Sequence, residues 1–333
     1  MLLDAGLVPD RLSQVPELAR QAEAFGFDGV WTSETQHDPF LPLVLAAEHS
    51  QRLTLGTAVA ISLARSPMTV AYTAWDLAGA SAGRFILGLG TQVRAHIRRR
   101  FGMPWPESPP AQQREFVEAL RAIWRSWSDG DPLDFRGQYY KLTLMTPFFR
   151  PPPIDSPAVP VYLAAVNPGL ARLAGEVADG LHAHPLHTAD YLRQVVRPAI
   201  AAGAETAGRD PAQVALSVTA FVVEDENEAG EVRRQIAFYA STPAYRRVLA
   251  LHGWESVGER LSQLARRGQW AAMGAEVPDD MLEQVAVVAP AEELGAALRR
   301  RYQGLADRLT IYRPFRAGER DEDWRRLLAG WQS

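Results

Sequence analysis

The stretch GRFILGLGTQVRAH, Gly83 to His96, joins a buried-looking apolar run to two glycines and then to polar residues. A phosphate-binding reading fails. A dinucleotide fingerprint places a third glycine where Val93 stands and follows the first strand of the chain, and a Walker loop needs Gly-Lys-Ser/Thr. The stretch reads instead as the fourth strand of a series. It ends in small residues that deliver Thr91, Gln92 and His96 to one edge of a sheet. Gly88 and Gly90 then serve either close packing inside a barrel or an approach to a ligand.

Working outward, similar apolar runs recur near Leu2–Leu7, Gly29–Thr32, Leu53–Ala60, Val161–Ala165, Gly180–Ala183, Ala215–Val223 and Arg308–Tyr312. Helical patterns separate them. Arg11–Phe27 places Leu12, Val15, Leu18, Ala19 and Ala22 at helical spacing. Pro67 and Thr188 mark helix starts, and Pro198 is a kink position. Eight apolar strands, each followed by a helix, predict a parallel sheet covered by helices: a (β/α)8 TIM barrel over residues 1–333, with an open doubly wound sheet as the alternative. Two segments exceed the plan. The proline- and aromatic-rich stretch 129–160 is expected to be an ordered insertion, with a hairpin near Phe135–Leu144 and with Phe148 and Phe149 closing a pocket. The stretch 240–280 is a helical excursion placed to cap the other side of the mouth.

Bulk properties narrow the function. The chain has 333 residues, 47% of them hydrophobic and 22% charged, with a formal net charge of −4. It offers no general attraction to nucleic acid or to an anionic membrane. The triplets Arg98–Arg100 and Arg299–Arg301 read as solvated helix faces. With no cysteine, thiolate chemistry and disulfides are excluded. Without a leader pattern or a spanning apolar run, a soluble cytoplasmic protein acting on a small molecule is expected.

Polar residues gather at the predicted strand ends. After strand two, SETQHDPF supplies Glu34, Gln36, His37 and Asp38, and His37 is the natural proton carrier because imidazole exchanges protons near neutrality. The loop after strand three, AVAISLARSP, has no acid or base before Arg65 and offers a wall or amides to a flat ligand. After strand five, Asn167 and Pro168 start a helix whose free amides favour an anion. His182 and His184 share a strand face and raise the alternative of a metal-dependent hydrolase using Glu34 as well. A metal site is not favoured, because no aspartate ends strand eight (LTIYRPF). Phe40, Trp75, Trp324 and Trp331 read as core anchors.

The segments AEAFGFDGVWTSETQHDPFLPL, LTLGTAVAISLARSPMTVAYTAWDLAGASAGRFILGLGTQ, VPVYLAAVNPGLARLAGEVADG and LTIYRPF together make the chain resemble the bacterial-luciferase-like superfamily, in its deazaflavin (coenzyme F-420) branch. The resemblance implies a tricyclic ring bound at the C-terminal mouth of the barrel. It implies a non-proline cis peptide at Ala58–Val59, in a bulge at the end of strand three. The implied cofactor-binding residues are Ala58, Val59, Ala60, Gly90, Gln92, Ala165, Val166, Asn167 and His184, with the phosphate tail near Ala165, Val166 and Asn167. The implied activity is hydride transfer between a small organic substrate and the deazaflavin; an FMN-dependent monooxygenase is the alternative. His37 would carry the proton, Glu34 would orient it, and Gln92 and His96 would contact substrate or ring, His96 being the second candidate proton carrier. Sugar-phosphate dehydrogenases of this branch carry an Asp-His pair where this chain has Glu34 and Thr35, and a catalytic Glu where it has Val93. Those departures argue against a sugar-phosphate substrate. Similar proteins are often dimers, so an isologous homodimer is expected.

Overall fold

The computed structural model describes residues 1–316 and 318–332. Eight parallel strands form the barrel: β1 (Leu2–Leu7), β2 (Gly29–Thr32), β3 (Thr54–Thr57), β4 (Phe85–Gly90), β5 (Val161–Ala165), β6 (Gly180–Ala183), β7 (Ala215–Val223) and β8 (Arg308–Phe315). Each pairs with the next, and β8 pairs with β1, so the sheet closes and leaves no edge within the ring. The open doubly wound alternative is therefore set aside. Odd and even positions divide the labour. On β7 and β8, Val218, Ala220, Leu309 and Ile311 join the apolar layer under the helices. The alternating residues Ser217, Thr219, Arg308, Thr310 and Tyr312 face the interior.

The closure is pinned by charge. The Asp4 carboxylate accepts two bonds from the Arg308 guanidinium, at 2.8 and 2.6 Å, and one from Trp31 Nε1 at 2.8 Å. Both charged side chains are buried, and together they tie the first, second and last strands. Such a pair adds little net stability over an apolar filling, yet breaking it strands a buried charge.

Local chemistry sets the helix limits. Ser66 caps the helix Pro67–Ala80 by accepting from the Met68 amide, and Ser108 caps Pro109–Asp129 by accepting from that of Ala111. Gly130, at φ +82°, ends the latter in the left-handed conformation that costs glycine nothing. Thr188 caps its helix as expected. Pro198 does perturb that element, which takes a wide π turn over Leu192–Val196 before it resumes as Arg197–Thr206. A proline lacks the amide that the normal ladder requires at that point. Phe40, Trp75, Trp324 and Trp331 are buried.

The two additions behave differently. In 129–160 the hairpin forms, pairing Phe135–Arg136 with Lys141–Leu142. Its turn is held by Glu115, whose carboxylate accepts the amides of Gln138, Tyr139 and Tyr140. The rest runs along the outside of helix Pro67–Ala80. Tyr72 Oη donates to Phe149 O, and Trp75 Nε1 donates to Pro152 O. Phe148 is 88% exposed, so the expectation that Phe148 and Phe149 close a pocket is corrected: the insertion straps the outer helices. Residues 226–288 build a second apolar cluster with Phe221, Val223 and Leu186, and Ala286–Val288 returns to pair with the last residues of β7. This cluster covers the mouth on the β6–β8 side. No helix among the described residues is long and apolar enough to cross a membrane.

Candidate functional site

The mouth on the β2–β4 side is built around an interruption in β3. Gly56 pairs with Ile86, the ladder breaks, and it resumes with Ala60 opposite Leu89 and Ile61 opposite Gly90. Four residues on one strand thus span three on the other, a bulge. The Ala58–Val59 peptide within it is cis. Thr57 replaces the missing ladder bonds with its side chain: Oγ1 donates to Gly88 O at 2.7 Å and accepts from Gly88 N at 2.9 Å. The two glycines of the opening stretch acquire their reason here. A Cβ on Gly88 would stand 1.8 Å from Thr57 O, and one on Gly90 would stand 2.6 Å from Val59 Cγ2. They are glycines because the bulge leans on them. The result is a shelf of small side chains, Ala58, Val59, Gly90 and Ala164, at the ends of β3–β5.

Glu34 braces this shelf. Its Oε2 accepts from Ile61 N at 2.7 Å and from Arg65 Nη1 at 2.5 Å, and its own amide donates to Val59 O. The carboxylate is nearly buried, and Arg65 reaches onward to Asp38. No hydrogen bond joins Glu34 to His37. His37 lies exposed in the loop after β2, and His96 lies exposed on the short helix Arg94–Arg99. Neither side chain has a hydrogen-bonding partner among the described residues. Arg100 donates to Thr35 O, which ties that helix to the His37 loop. Gln92 adopts φ +59°, an uncommon left-handed conformation for a residue with a side chain, and its Oε1 accepts the Val93 amide.

Beyond the shelf, Ala165 is buried and Val166 O accepts from Tyr191 Oη. Asn167 makes no side-chain cap, so the first amides of helix Pro168–Val177 lack one. His182 projects into the barrel centre against Trp31 and Tyr162, with ring centroids 4.8 and 5.2 Å away. Its Nε2 is buried without a partner, and burial together with the Arg308 charge pushes its pKa down to about 3. The imidazole is therefore neutral near neutral pH.

His184 sits on the opposite side, in a cluster that sequence inspection did not find. Its Nδ1 accepts the Leu186 amide at 3.0 Å and its Nε2 lies 3.1 Å from Tyr245 Oη. Tyr239 packs on its edge, and Tyr239 Oη is 2.6 Å from Tyr312 Oη. Burial pushes the His184 pKa down to about 3. Tyr239 and Tyr245 lie far from β6 in the chain, and no spacing rule signals their arrival. Among the described residues no three His, Cys, Asp or Glu side chains converge as a metal site. The His182, His184 and Glu34 set of the hydrolase alternative is not assembled: Glu34 is taken by Arg65 and Ile61, and His184 by Leu186 and Tyr245.

Comparison with known proteins agrees with this architecture. A relative from Mycobacterium tuberculosis, an uncharacterized protein, is 46% identical over 310 residues, 91% of each chain. An F-420-dependent glucose-6-phosphate dehydrogenase of Rhodococcus jostii is 34% identical over 215 residues, 60% of this chain and 62% of that one. The solved structure of a coenzyme F-420-dependent tetrahydromethanopterin reductase from Methanopyrus kandleri superposes with a TM-score of 0.78 at 21% identity, covering 99% of this chain and 97% of that one. The family model of the luciferase-like monooxygenases matches residues 2–308, and the chain belongs to that family.

Proposed function

We propose that this protein is an oxidoreductase that moves a hydride between a small organic substrate and coenzyme F-420. One juxtaposition carries the reading. The small-residue shelf Ala58–Val59–Gly90–Ala164 adjoins a helix start at Asn167 that no side chain caps. A flat heterocycle needs the first, and a phosphate on its tail suits the second. The similarity to a relative named as F-420-dependent supports the same choice.

In this reading Ala58, Val59, Ala60, Gly90 and Gln92 seat the ring, and Ala165, Val166 and Asn167 meet the tail. When bound, the coenzyme supplies a hydride donor or acceptor; the protein supplies position and a proton. Glu34 and Arg65 hold the shelf in shape. His37, exposed in the loop after β2 and without a side-chain hydrogen bond, carries the proton to or from the substrate oxygen, with His96 as the alternative carrier. The apolar cluster over β6–β8 excludes water from that half of the mouth.

The second reading, an FMN-dependent monooxygenase, draws on the family description itself. Parallel titration with F-420 and FMN separates the two. The coenzyme that belongs shifts its absorbance on binding and raises the melting temperature. His37→Ala is expected to abolish turnover with coenzyme affinity intact. Tighter binding of FMN, or binding of neither, would overturn the proposal.

A further inference from the structure

The cluster around His184 holds an unusual hydrogen-bond inventory. His184 Nδ1 accepts from the Leu186 amide, so it carries no proton. A neutral imidazole then carries its single proton on Nε2, and the Nε2–H donates to Tyr245 Oη. Tyr245 therefore spends a lone pair, not its proton, on this contact. Tyr239 and Tyr312 share one bond, so one of their two hydroxyl protons is also left over. Among the described residues no other group accepts from these phenols. Three phenols thus present two unclaimed O–H donors, and none of the three is fully exposed.

Their placement is equally specific. Tyr312 lies two residues beyond inward-facing Thr310 on β8, and the ring of Phe221, fully buried near the end of β7, packs tilted against it at 4.6 Å. Tyr245 and Tyr239 close over His184 from the excursion side. No charged side chain bonds to any member. The nearby Arg313 is consumed by Glu224 and Glu228. Burial holds the Tyr245 phenol up at about 12, so it remains a donor near neutrality.

The geometry points to a substrate pocket for an uncharged molecule with an apolar or aromatic body and a carbonyl, hydroxyl or ether oxygen that accepts from Tyr245. His184 is its positioning residue: by donating to Tyr245 it turns the phenolic proton outward. An anionic group such as a phosphate finds no cation in this pocket. This assignment rests on the proposed oxidoreductase reading for its role as substrate site, though the binding pocket itself can be tested without the coenzyme.

The test is ligand-observed NMR with acetophenone and phenyl phosphate as probes, on the wild-type chain with and without saturating F-420. Acetophenone is expected to bind and phenyl phosphate to bind at least tenfold more weakly. Tyr245→Phe should weaken acetophenone about five- to tenfold, the worth of one net hydrogen bond. Its melting temperature should fall by no more than about 5 °C, because the His184 Nε2–H loses its acceptor, and its F-420 affinity should stay unchanged. His184→Phe should weaken acetophenone as much as Tyr245→Phe does, and His184→Gln, which keeps both a donor and an acceptor, should restore part of it. Absence of acetophenone binding to the wild type, undiminished binding to Tyr245→Phe, or a preference for phenyl phosphate overturns the pocket. Loss of F-420 binding in the wild type would instead overturn the coenzyme reading and leave the probe data standing.

Discussion

Removing the Glu34 carboxylate separates two roles that adjacency in sequence would confuse. In the structure its partners are the Ile61 amide and Arg65. Glu34→Ala leaves a partly buried amide without an acceptor, about 1–3 kcal/mol, and forfeits a charge-assisted bond to a mostly buried guanidinium, of order 1–2 kcal/mol after solvent screening. The expected total is about 2–5 kcal/mol. Unfolding entropy for a chain of this length is on the order of 0.7 kcal/mol/K, so the melting temperature should drop by roughly 3–7 °C. His37→Ala, at an exposed side chain with no partner, should shift it by less than about 1 °C. Double-mutant cycles read by thermal unfolding then decide who is coupled to whom. Glu34→Ala with Arg65→Ala should be non-additive by about 1 kcal/mol or more, and Glu34→Ala with His37→Ala should be additive within about 0.5 kcal/mol. A strong coupling to His37 with none to Arg65 would refute the brace and restore the histidine as the carboxylate's partner.

Other perturbations follow from the same geometry. Asp4→Ala strands the buried Arg308 charge and should cost about 3–5 kcal/mol by thermal or denaturant unfolding, whereas the joint change Asp4→Leu with Arg308→Met should cost less than Asp4→Ala alone. Gly88→Ala pushes a methyl into Thr57 O and should destabilise by about 1–3 kcal/mol while weakening coenzyme binding through a displaced bulge; unchanged affinity in titration would count against the shelf. The chain should also be acid-labile in a defined window. His182 and His184 are held down to about 3 and His187 to about 4 by burial, against 6.5 in the unfolded chain. Between those limits the unfolded state binds more protons, so stability is at its full value above pH 6.5 and declines as pH falls toward 4, by up to about 1.4 kcal/mol per pH unit for each histidine. Melting curves across pH 4–7 check this, and His187→Gln should flatten the decline.

Much of the frame was legible from local pattern. Five of the eight strands, Leu2–Leu7, Gly29–Thr32, Val161–Ala165, Gly180–Ala183 and Ala215–Val223, coincide with their apolar runs, because burial on both faces leaves continuous hydrophobic stretches bounded by turn residues. Strand three is shorter than its run suggests, since a bulge is a pairing event between strands and leaves no periodic mark. The insertion was visible as a segment, yet its course depended on what Tyr72, Trp75 and Glu115 offered it.

By itself, then, the sequence determined the alternation of strands and helices, the caps that bound them and the mouth that carries Glu34, His37 and Gln92. Tertiary structure alone decided that Glu34 grips Arg65, that Gly88 makes room for Thr57 O, and that His184 meets Tyr245. Periodicity and capping are properties of neighbouring residues, whereas the partner of a polar side chain is set by which strand ends the closed ring brings together.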